Sequence, residues 1–398
     1  MTPKVILCGI FAKILDLIVQ VKPKHWVFGA DLGNTYREGS KYLIEYMLKN
    51  HPEFDCVFIT SNPEIELELR NKGIPVASNY SIKGLYKIAS SDCIFTTQTL
   101  IDIKYAFKRK KKSFFYLVHG QPFKKALMML SEQDKVRLFE KHKESLFSII
   151  KERIVKKQFW NYEDISFVSA TSEFTASLQR NEFPLSVDIK ILGMPRNDAL
   201  FDNERMKTEK WDPEYHEKFI ISYMPTHRKY GRGKPSQTPF YYRDDVQSWM
   251  REHNVLLLVK QHPNMVSKLS VLEETDVIKN ISKAGYDPQV VIYHSDVLVT
   301  DYSSVWMDYL LLRRPLVFYF YDDFEVEDAG CYYNLRDEFP NNWCESEDGL
   351  FEMIKEAFYN KSTLLPSNDE VSKYHKYIDN KSCERYYEEI AKMKYGKE

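Results

Sequence analysis

The chain has 398 residues, of which 43% are hydrophobic and 28% charged, so we expect a globular protein too long for one ordinary core. Its 56 basic and 57 acidic residues give a formal net charge of −1, which excludes a globally basic nucleic-acid-binding protein. Its six cysteines are scattered and include no CxxC pair, so we expect no structural zinc and a reducing, cytoplasmic setting.

The first apolar segment runs from Val5 to Val21 and predicts a helix. It contains Lys13 and Asp16 and lacks a cleavage site, so we expect neither a signal peptide nor a bilayer-spanning helix. Its apolar residues share one helical face; they are Ile6, Ile10, Ile14, Leu17, Ile18 and Val21. Two interpretations stay open, because this face could pack into the protein core or lie in a membrane interface.

Short apolar runs alternate with helical patterns along most of the chain. In the first half, strands are predicted at 25–30, 55–60, 93–97, 113–119, 165–171 and 188–193. In the second half, they are predicted at 219–226, 254–263, 290–295, 296–304 and 315–321. Apolar runs of this length separated by helices are typical of parallel strands that are buried on both faces.

The polar segment 201–218 shows little apolar periodicity and is interpreted as a linker between the two halves. We therefore predict an α/β fold with two doubly wound, Rossmann-like domains facing a cleft, at residues 1–202 and 203–370. The last segment, 371–398, is helical in pattern and charged, and we expect it to cross back to the first domain.

Ligands of doubly wound sheets gather at the carboxyl ends of the strands, and four predicted strands end in polar clusters. The first cluster is HGQPFKK, in which His119 precedes Gly120, suited to a sharp turn, and Pro122, suited to a helix start. Lys124 and Lys125 add positive charge beside that start. A structural role for the histidine is the competing interpretation.

The other three clusters carry similar chemistry. MPTHRKYGRGK places His227 and Arg228 in a basic, glycine-containing loop that could bind an anion or be a solvated turn, and VKQHPN places His262 after an apolar strand. In the last cluster a strand leads to Asp301, and Tyr302, Ser303 and Ser304 then open a helix. Serine is a favoured helix N-cap, and the free amides of a first turn can bind phosphate. The helix dipole stabilises an anionic charge near the N-terminus by roughly 0.3–1 kcal/mol.

Several familiar catalytic motifs do not occur in the sequence. It contains no Walker A, GxGxxG, HExxH or GxSxG pattern, and no acidic cluster has obvious metal spacing. We therefore predict no metal site. The remaining interpretation is a site for a diphosphate-linked donor, built from helix starts and basic side chains.

Five motifs, in this order, resemble those of the CDP-glycerol glycerophosphotransferases, which build teichoic acids and related capsule polymers. They are HGQP followed by two lysines, LGMPRND (Leu192 to Asp198), MPTHR, VKQHP and TDYSSVWMDYLLLRRPLVFYFYD. The resemblance implies a glycosyltransferase-B type fold. It also implies that the N-terminal domain binds the acceptor and that the C-terminal domain holds most of the donor nucleotide.

The resemblance also implies roles for single residues. His119 matches the histidine of the family's HGTP motif, a general base on the acceptor hydroxyl, and His262 matches a second catalytic histidine near the donor phosphates. The other donor-binding matches are Arg228, Ser303, Ser304 and, with a less defined role, Asp301. Further acceptor or phosphate contacts are predicted for Gly120, Lys124 and His227.

Two positions depart from the family pattern. Gln121 stands where threonine is usual, and His227 stands where tryptophan is usual. Both neighbour predicted site residues, so the acceptor or donor preference could differ.

The implied reaction moves glycerol phosphate from CDP-glycerol to a hydroxyl of a lipid-linked or polymer acceptor and releases CMP, with no cofactor. Such acceptors imply a peripheral protein on the anionic, inner face of the cell membrane. The run KYAFKRKKK (Lys104 to Lys112) has six basic residues and two aromatic ones, which suits an anionic surface. A solvated connection is the alternative for this run.

Three alternatives stay open. The donor could be CDP-ribitol, or the protein could be a nucleotide-sugar glycosyltransferase of the same fold. Nucleic-acid binding through KRKKK is the third, and the near-zero net charge argues against it. The sequence also leaves open the number of units added, the acceptor, a metal requirement and homo-oligomerisation.

Overall fold

The computed structural model of the chain describes residues 3–98, 101–109, 111–125, 162–226, 239–260, 272–321, 330–360 and 362–396. These residues form two compact units. The first consists of those within Met1–Gln121, Ala126–Asp198 and Asp379–Glu398, and the second of those within Pro122–Lys125 and Ala199–Ile378. The main segment of the second unit begins at Ala199, whereas the sequence predicts the boundary after residue 202. The predicted C-terminal segment 371–398 is divided between the two units at Ile378.

The described strands of the first unit form one parallel sheet. They are β1 (His25–Phe28), β2 (Asp55–Thr60), β3 (Val76–Ser78), β4 (Cys93–Thr96), β5 (Ser113–Tyr116), β6 (Ile165–Ala170) and β7 (Asp188–Ile191). Their order in the sheet is β3-β2-β1-β4-β5-β6-β7. All residues of β1 and β4 are buried, as expected for central strands of a sheet that helices cover on both faces.

The described strands of the second unit form a second parallel sheet. They are β8 (Phe219–Tyr223), β9 (Val255–Val259), β10 (Ile278–Asn280), β11 (Val297–Thr300), β12 (Leu316–Tyr319) and β13 (Trp343–Cys344). Their order is β10-β9-β8-β11-β12-β13. In both sheets the strand order reverses at the middle, between β1 and β4 and between β8 and β11, which is where ligands of doubly wound sheets bind.

Helices connect the strands. In chain order they are α1 (Pro3–Ile18), α2 (Glu38–Asn50), α3 (Pro63–Asn71), α4 (Ile82–Ser90), α5 (Glu173–Glu182), α6 (Asn203–Thr208), α7 (Asp244–Glu252), α8 (Pro288–His294), α9 (Val305–Leu310), α10 (Leu335–Glu338), α11 (Glu347–Tyr359), α12 (Asn368–Tyr374) and α13 (Ser382–Tyr395). Short 3₁₀ helices lie at Asp31–Gly33, Tyr162–Asp164, Pro195–Phe201, Pro213–Tyr215 and Phe240–Tyr242. Ser172 shows why one helix begins where it does, because its hydroxyl accepts the Thr175 amide at the start of α5.

Two sequence-based predictions in the second half are wrong. The run at 290–295 is helix α8 and not a strand, because the Asp287 side chain caps the Gln289 amide and Pro288 occupies the first helical turn. The segment at 201–218 is not a featureless linker, since it contains α6, whose Met206 is buried.

Helix α1 presents its apolar face outward. The large side chains on this face have exposed fractions of 67% at Leu7, 57% at Ile10, 38% at Phe11, 47% at Ile14, 73% at Leu17 and 70% at Ile18. The interpretation in which this face packs into the core is therefore wrong. No helix within the described ranges has both the length and the apolarity to cross a bilayer.

The opposite face of α1 explains the basic run at 104–112. Tyr105 and Phe107 of this run are buried against α1, beside Ala12, so these aromatic side chains are not on the surface. The Lys112 ammonium is buried and donates to Asp16 at 3.0 Å and to the Ile88 carbonyl at 3.0 Å.

Three further cations of the run have partners within the protein, whereas Lys111 is exposed. Lys104 donates to the Tyr80 hydroxyl, Lys108 pairs with Asp164, and Arg109 donates to the Val19 carbonyl at 2.9 Å. The expectation that Tyr105 and Phe107 lie on the surface of this run is therefore wrong. Most of the run's described charge attaches neighbouring segments of the first unit.

Helix α13 completes the first unit. The Asp198 carboxylate accepts the amides of Ser382 at 2.8 Å and Cys383 at 2.7 Å, at the beginning of this helix. At its other end, the Tyr395 hydroxyl donates to Asp92 at 2.7 Å. A residue of the LGMPRND motif therefore anchors the C-terminal helix of the chain.

Candidate active site

His119 lies just beyond β5, on a strained turn. Val118 has a φ of 27°, in the left-handed region that a β-branched residue seldom adopts. Strain of this kind costs of order 1–3 kcal/mol and concentrates at functional sites. The His119 side chain itself is exposed. The unusual backbone is therefore at Val118, two residues before the predicted turn at Gly120.

A buried arginine holds this turn. The Arg196 guanidinium donates to the His119 carbonyl at 2.6 Å and also pairs with the Glu38 carboxylate. Arg196 is only 7% exposed, so its charge depends on these partners. Glu38 opens α2 with a φ of 61°, so a second left-handed residue stands in the same cluster. Sequence reasoning gave Arg196 and Glu38 no role, although Arg196 belongs to LGMPRND.

The surroundings of His119 favour a neutral imidazole. Solvent reaches the residue, yet the protein around it desolvates the cation and lowers the pKa of His119 from its ordinary value of 6.5. The Glu38 carboxylate opposes this change and raises the pKa of His119, whereas the Arg196 guanidinium lowers it. Glu38 and Arg196 therefore act on the pKa of His119 in opposite directions, and Asp102 acts in the same direction as Glu38.

Asp102 organises two further strand exits of the first unit. Its buried carboxylate accepts the backbone amides of Leu32 at 2.9 Å, Thr97 at 2.9 Å and Gln98 at 3.0 Å. Leu32 follows β1, and the other two residues follow β4, so one side chain ties the two central exits together. The His119 imidazole also donates to the Thr97 backbone carbonyl, and this hydrogen bond raises the pKa of His119. No motif in the sequence marks Asp102.

Gln121, which replaces the usual threonine, points into the first unit. It is buried, its side-chain oxygen accepts from Gln179 at 3.2 Å, and its amide donates to the Ser169 carbonyl at 3.5 Å. Its side chain is thus engaged with β6 and α5. This burial argues against the hypothesis that Gln121 changes acceptor preference by direct contact.

Residues 122–125 belong to the second unit. Lys124 forms an antiparallel bridge with Cys331, and the Lys125 amide donates to the Gly330 carbonyl at 3.0 Å. The prediction of a helix start at Pro122 is therefore wrong, because residues 122–125 pair with a neighbouring segment.

The predicted donor cluster lies at the exits of β8 and β11. Buried Asp301 accepts the Thr226 amide at 2.8 Å, which joins these two central exits. Ser303 and Ser304 are half-buried, and Ser304 is the N-cap residue of α9. Within the described part of this turn, no amide donates to the Ser304 hydroxyl as a cap. The hydroxyl is thus not used in the way that ordinary capping predicts.

Aromatic packing fixes the turn that carries the two serines. The buried Tyr302 ring stacks on Phe123 with centroids 6.5 Å apart and planes 7° apart, and lies 4.8 Å from Phe320. The Trp306 ring meets Phe123 edge-on at 6.2 Å. Phe123 comes from the PFKK half of the first motif, so this half supports the second unit.

Three predicted site residues lie outside the described residues: His227, Arg228 and His262. The described residues end at Thr226 before the first two and at Lys260 before the third. The Lys260 amide donates to the Tyr223 carbonyl at 3.0 Å. The structure does bring Asp301, Ser303 and Ser304 together on one turn, and it places His119 on the first unit. Across the described ranges, no group of three or more His, Cys, Asp or Glu side chains could hold a metal ion.

A family model described as CDP-Glycerol:Poly(glycerophosphate) glycerophosphotransferase matches residues 11–392. The chain belongs to this family. It is therefore a transferase, of the family that moves glycerol phosphate from CDP-glycerol, and the resemblance carried by its five motifs is confirmed.

Individual relatives agree with this assignment. The chain is 25% identical over 338 residues to the teichoic acid glycerol-phosphate transferase of Staphylococcus aureus (strain NCTC 8325 / PS 47), covering 81% of each protein. It is 27% identical over 206 residues to the teichoic acid ribitol-phosphate polymerase TarK of the same strain, covering 50% of this chain and 39% of TarK. The chain thus spans most of the first relative but matches less than half of the second.

The solved structure of the wall teichoic acid polymerase TagF has a similar fold. The TM-score is 0.71 at 20% sequence identity, over 98% of this chain and 95% of the TagF chain. At this identity the likeness shows the fold alone, and it confirms the predicted α/β class with two Rossmann-like sheets of the glycosyltransferase-B type.

We expect Asp102→Asn to lower the free energy of unfolding by about 1–3 kcal/mol. The reason is that the asparagine NH₂ group would face backbone amides that now donate hydrogen bonds to the carboxylate. Asp188→Asn is the matched control. Asp188 is exposed and lies 3.9 Å from Lys190, so a change within about 0.5 kcal/mol is expected. Urea denaturation measures both, and equal effects would contradict the anchoring role of Asp102.

Proposed function

We propose that this protein transfers glycerol phosphate from CDP-glycerol to a hydroxyl of a lipid-linked or polymer acceptor and releases CMP, in teichoic-acid-like or capsule polymer synthesis. Family membership supports the donor and the reaction type. The observation that carries the proposal is His119, placed on a strained turn that a buried ion pair holds. Such a turn is what a positioned proton acceptor needs.

In the proposed reaction, the acceptor oxygen attacks the phosphorus that carries glycerol. A new phosphorus–oxygen bond forms as the bond to the bridging diphosphate oxygen breaks, and CMP leaves with that oxygen. The acceptor proton passes to the imidazole of His119. A pKa of His119 below 6.5 keeps the imidazole neutral near pH 7, so that it can accept this proton.

We assign Arg196 and Glu38 as positioning residues. Arg196 contacts the backbone carbonyl of His119, so it fixes the base without contacting the substrate. A misplacement of about 1 Å can cost on the order of 10²-fold in rate. The strained turn at Val118 would relax without this contact.

For the donor, we propose that Ser303 and Ser304 bind the diphosphate with their hydroxyl groups and that Asp301 holds their turn in place. The tie from Asp301 to Thr226 and the aromatic packing of Tyr302 support this assignment. Arg228 and His262 are assigned to the same phosphates on the motif resemblance, with His227 as a neighbouring contact. Charge neutralisation of this kind is the main requirement of phosphoryl transfer. We propose no cofactor.

The partners follow from the same proposal. A lipid-linked acceptor places the protein peripherally on the inner face of the cell membrane. CDP-ribitol is the second candidate donor, because the matched relatives include a ribitol-phosphate polymerase.

Donor screening tests the reaction. The purified protein is incubated with a synthetic lipid-linked acceptor and with CDP-glycerol, CDP-ribitol or a UDP-sugar, with and without a chelator. We expect CMP release with CDP-glycerol and an acceptor heavier by whole glycerol phosphate units, measured by mass spectrometry. A product ladder means polymerisation and one added unit means priming. UDP release, or turnover with CDP-ribitol alone, would contradict the proposed donor.

Replacing the base tests the role of His119. His119→Ala should lower kcat by roughly 10²–10⁴-fold, the usual contribution of general base catalysis, while the thermal unfolding temperature stays close to that of the wild type. His216→Ala is the control, because this histidine is also exposed and belongs to the second unit. Full turnover by a folded His119→Ala protein would exclude the base role.

The charges around His119 predict opposite changes in the pH profile. Glu38→Gln removes the carboxylate that raises the pKa of His119, so the acidic limb of kcat/KM should move to lower pH. Arg196→Gln removes a positive charge, so the limb should move to higher pH, and kcat should fall because the turn loses its support.

Arg196→Lys is the matched control for the second variant. Lysine keeps the positive charge, so the acidic limb of kcat/KM should stay close to that of the wild type. Its ammonium group cannot fully replace the guanidinium contacts with both Glu38 and the His119 carbonyl, so kcat should recover only in part. If both glutamine variants leave the limb unmoved, His119 is not the titrating base.

A further inference from the structure

We propose that Arg336 is a positioning residue for the donor diphosphate, because it holds the turn that carries Ser303 and Ser304. Its guanidinium lies at the carboxyl edge of the second sheet and contacts the ends of three neighbouring strands, β11, β12 and β13. Arg336 belongs to none of the five sequence motifs. The inference rests on the proposed function, since it concerns the same donor site.

The ends of β12 and β13 fix the place of the guanidinium. Its central carbon lies 4.5 Å from the ring centroid of Phe320, which follows β12, and 5.3 Å from that of Trp343 in β13. Both rings attract the cation through their negative faces. The Nη2 group donates to the carboxylate of Glu345, directly after β13, at 2.9 Å. The Asn334 side chain accepts the Arg336 amide at 3.0 Å, so the backbone is held as well.

The end of β11 meets the same guanidinium through Tyr302. The Tyr302 ring is 1% exposed and lies 4.8 Å from the Phe320 ring, so Tyr302 and Arg336 pack on one shared ring. Burial disfavours the charge of Arg336, yet the Tyr302 hydroxyl and the Glu345 carboxylate raise the pKa of Arg336 above its ordinary value. The Tyr302 hydroxyl and the guanidinium therefore stabilise each other.

The turn that follows Tyr302 depends on its neighbours for its position. No amide within the described residues donates to the Ser304 hydroxyl as a helix cap. Instead, Asp301 accepts the Thr226 amide on one side of the turn, and Tyr302 contacts Arg336 on the other. Without the guanidinium, the Tyr302 hydroxyl would lose this contact and both serines could shift.

The contacts of Arg336 indicate that it acts through Tyr302 and not by touching the donor. Its guanidinium is packed against two rings and paired with a carboxylate. A diphosphate is bound both before and during the reaction, so a displaced serine turn should weaken donor binding more than it slows the chemical step. The expected signature is a higher KM for the donor with a nearly unchanged kcat.

Steady-state kinetics and calorimetry with CDP-glycerol test this signature on the full-length protein. Arg336→Gln should raise both KM and Kd for CDP-glycerol about tenfold, with kcat lowered less than about threefold and KM for the acceptor unchanged. Arg336→Lys keeps the charge on the rings and should bring KM to within about threefold of the wild type. Arg251→Gln is the matched control, because exposed Arg251 also donates to a carboxylate of the second unit, that of Asp276 at 2.8 and 2.9 Å, and should behave like the wild type.

A double-mutant cycle tests the route through Tyr302. Tyr302→Phe keeps the packed ring and removes the hydroxyl, so it should raise KM for CDP-glycerol by roughly fivefold or more. The double variant Tyr302→Phe/Arg336→Gln should be no worse than the weaker-binding single variant, within about twofold, because both changes remove one interaction. Hydrogen exchange at residues 301–307 should be faster in each single variant and unchanged in Arg251→Gln.

Several results would overturn the assignment. They are multiplicative effects in the double variant, a Tyr302→Phe protein with wild-type KM, and faster exchange with unchanged KM and Kd, which would mean a purely structural role. Thermal unfolding identifies variants that do not fold, and if Arg336→Gln is one of them, Tyr302→Phe and Arg336→Lys carry the test. Wild-type protein that binds CDP-glycerol without turnover would refute the proposed reaction, while the Kd comparison would still decide the role of Arg336.

Discussion

Buried charged side chains satisfy the backbone at the strand exits of the first unit, and the position of His119 depends on this arrangement. Asp102 accepts amides that follow β1 and β4, while Arg196 donates to the carbonyl of His119. A buried backbone group without a partner costs about 1–3 kcal/mol, and a buried charge is tolerated only when it is hydrogen-bonded. Each backbone group and its charged partner therefore stabilise the other, and the strained turn at Val118 persists because neither can leave.

In the described part of the second unit, one carboxylate and a group of packed aromatic rings support the corresponding strand exits. Asp301 joins the exits of β8 and β11, and below the two serines the support comes from stacked rings around Phe123. Aromatic pairs of this kind contribute roughly 0.5–1.5 kcal/mol each beyond the area that they bury. Ser303 and Ser304, both half-buried, lie on the turn that these rings support.

Helix α1 shows how one element can serve two environments. Its attached face carries the buried pair of Asp16 and Lys112, and its other face is apolar and exposed. Lys112 lies in a run that looks, from its letters, like a cationic surface patch. In the structure, Lys112 pairs with Asp16, Lys108 pairs with Asp164, and Arg109 donates to a backbone carbonyl. These partners come within reach of the run when the first sheet forms.

Local patterns were sufficient for the elements whose burial is uniform. The strand β2 has the predicted bounds, and β1, β4 and β11 differ from prediction only at their ends, because runs of apolar residues between helices have few other stable arrangements. The strand prediction at 290–295 was wrong because the same apolar residues also fit a buried helix. The N-cap at Asp287 favours the helix at this position. His119, Ser303 and Ser304 are candidates because each follows an apolar run, and their roles stay predictions.

Contacts between distant residues remained beyond the reach of local patterns. Periodicity shows that the apolar residues of α1 share a face, but it does not show whether anything covers that face. Likewise, no local pattern shows that Asp102 accepts a hydrogen bond from Leu32, which lies 70 residues away in the chain. The same is true of the hydrogen bond from Arg196 to His119, across 77 residues. Chain order and composition were enough for the fold class and for the candidate base. The partners of the buried charges were settled only when the sheet brought its strand ends together, because charge pairing depends on distance in space and not on separation along the chain.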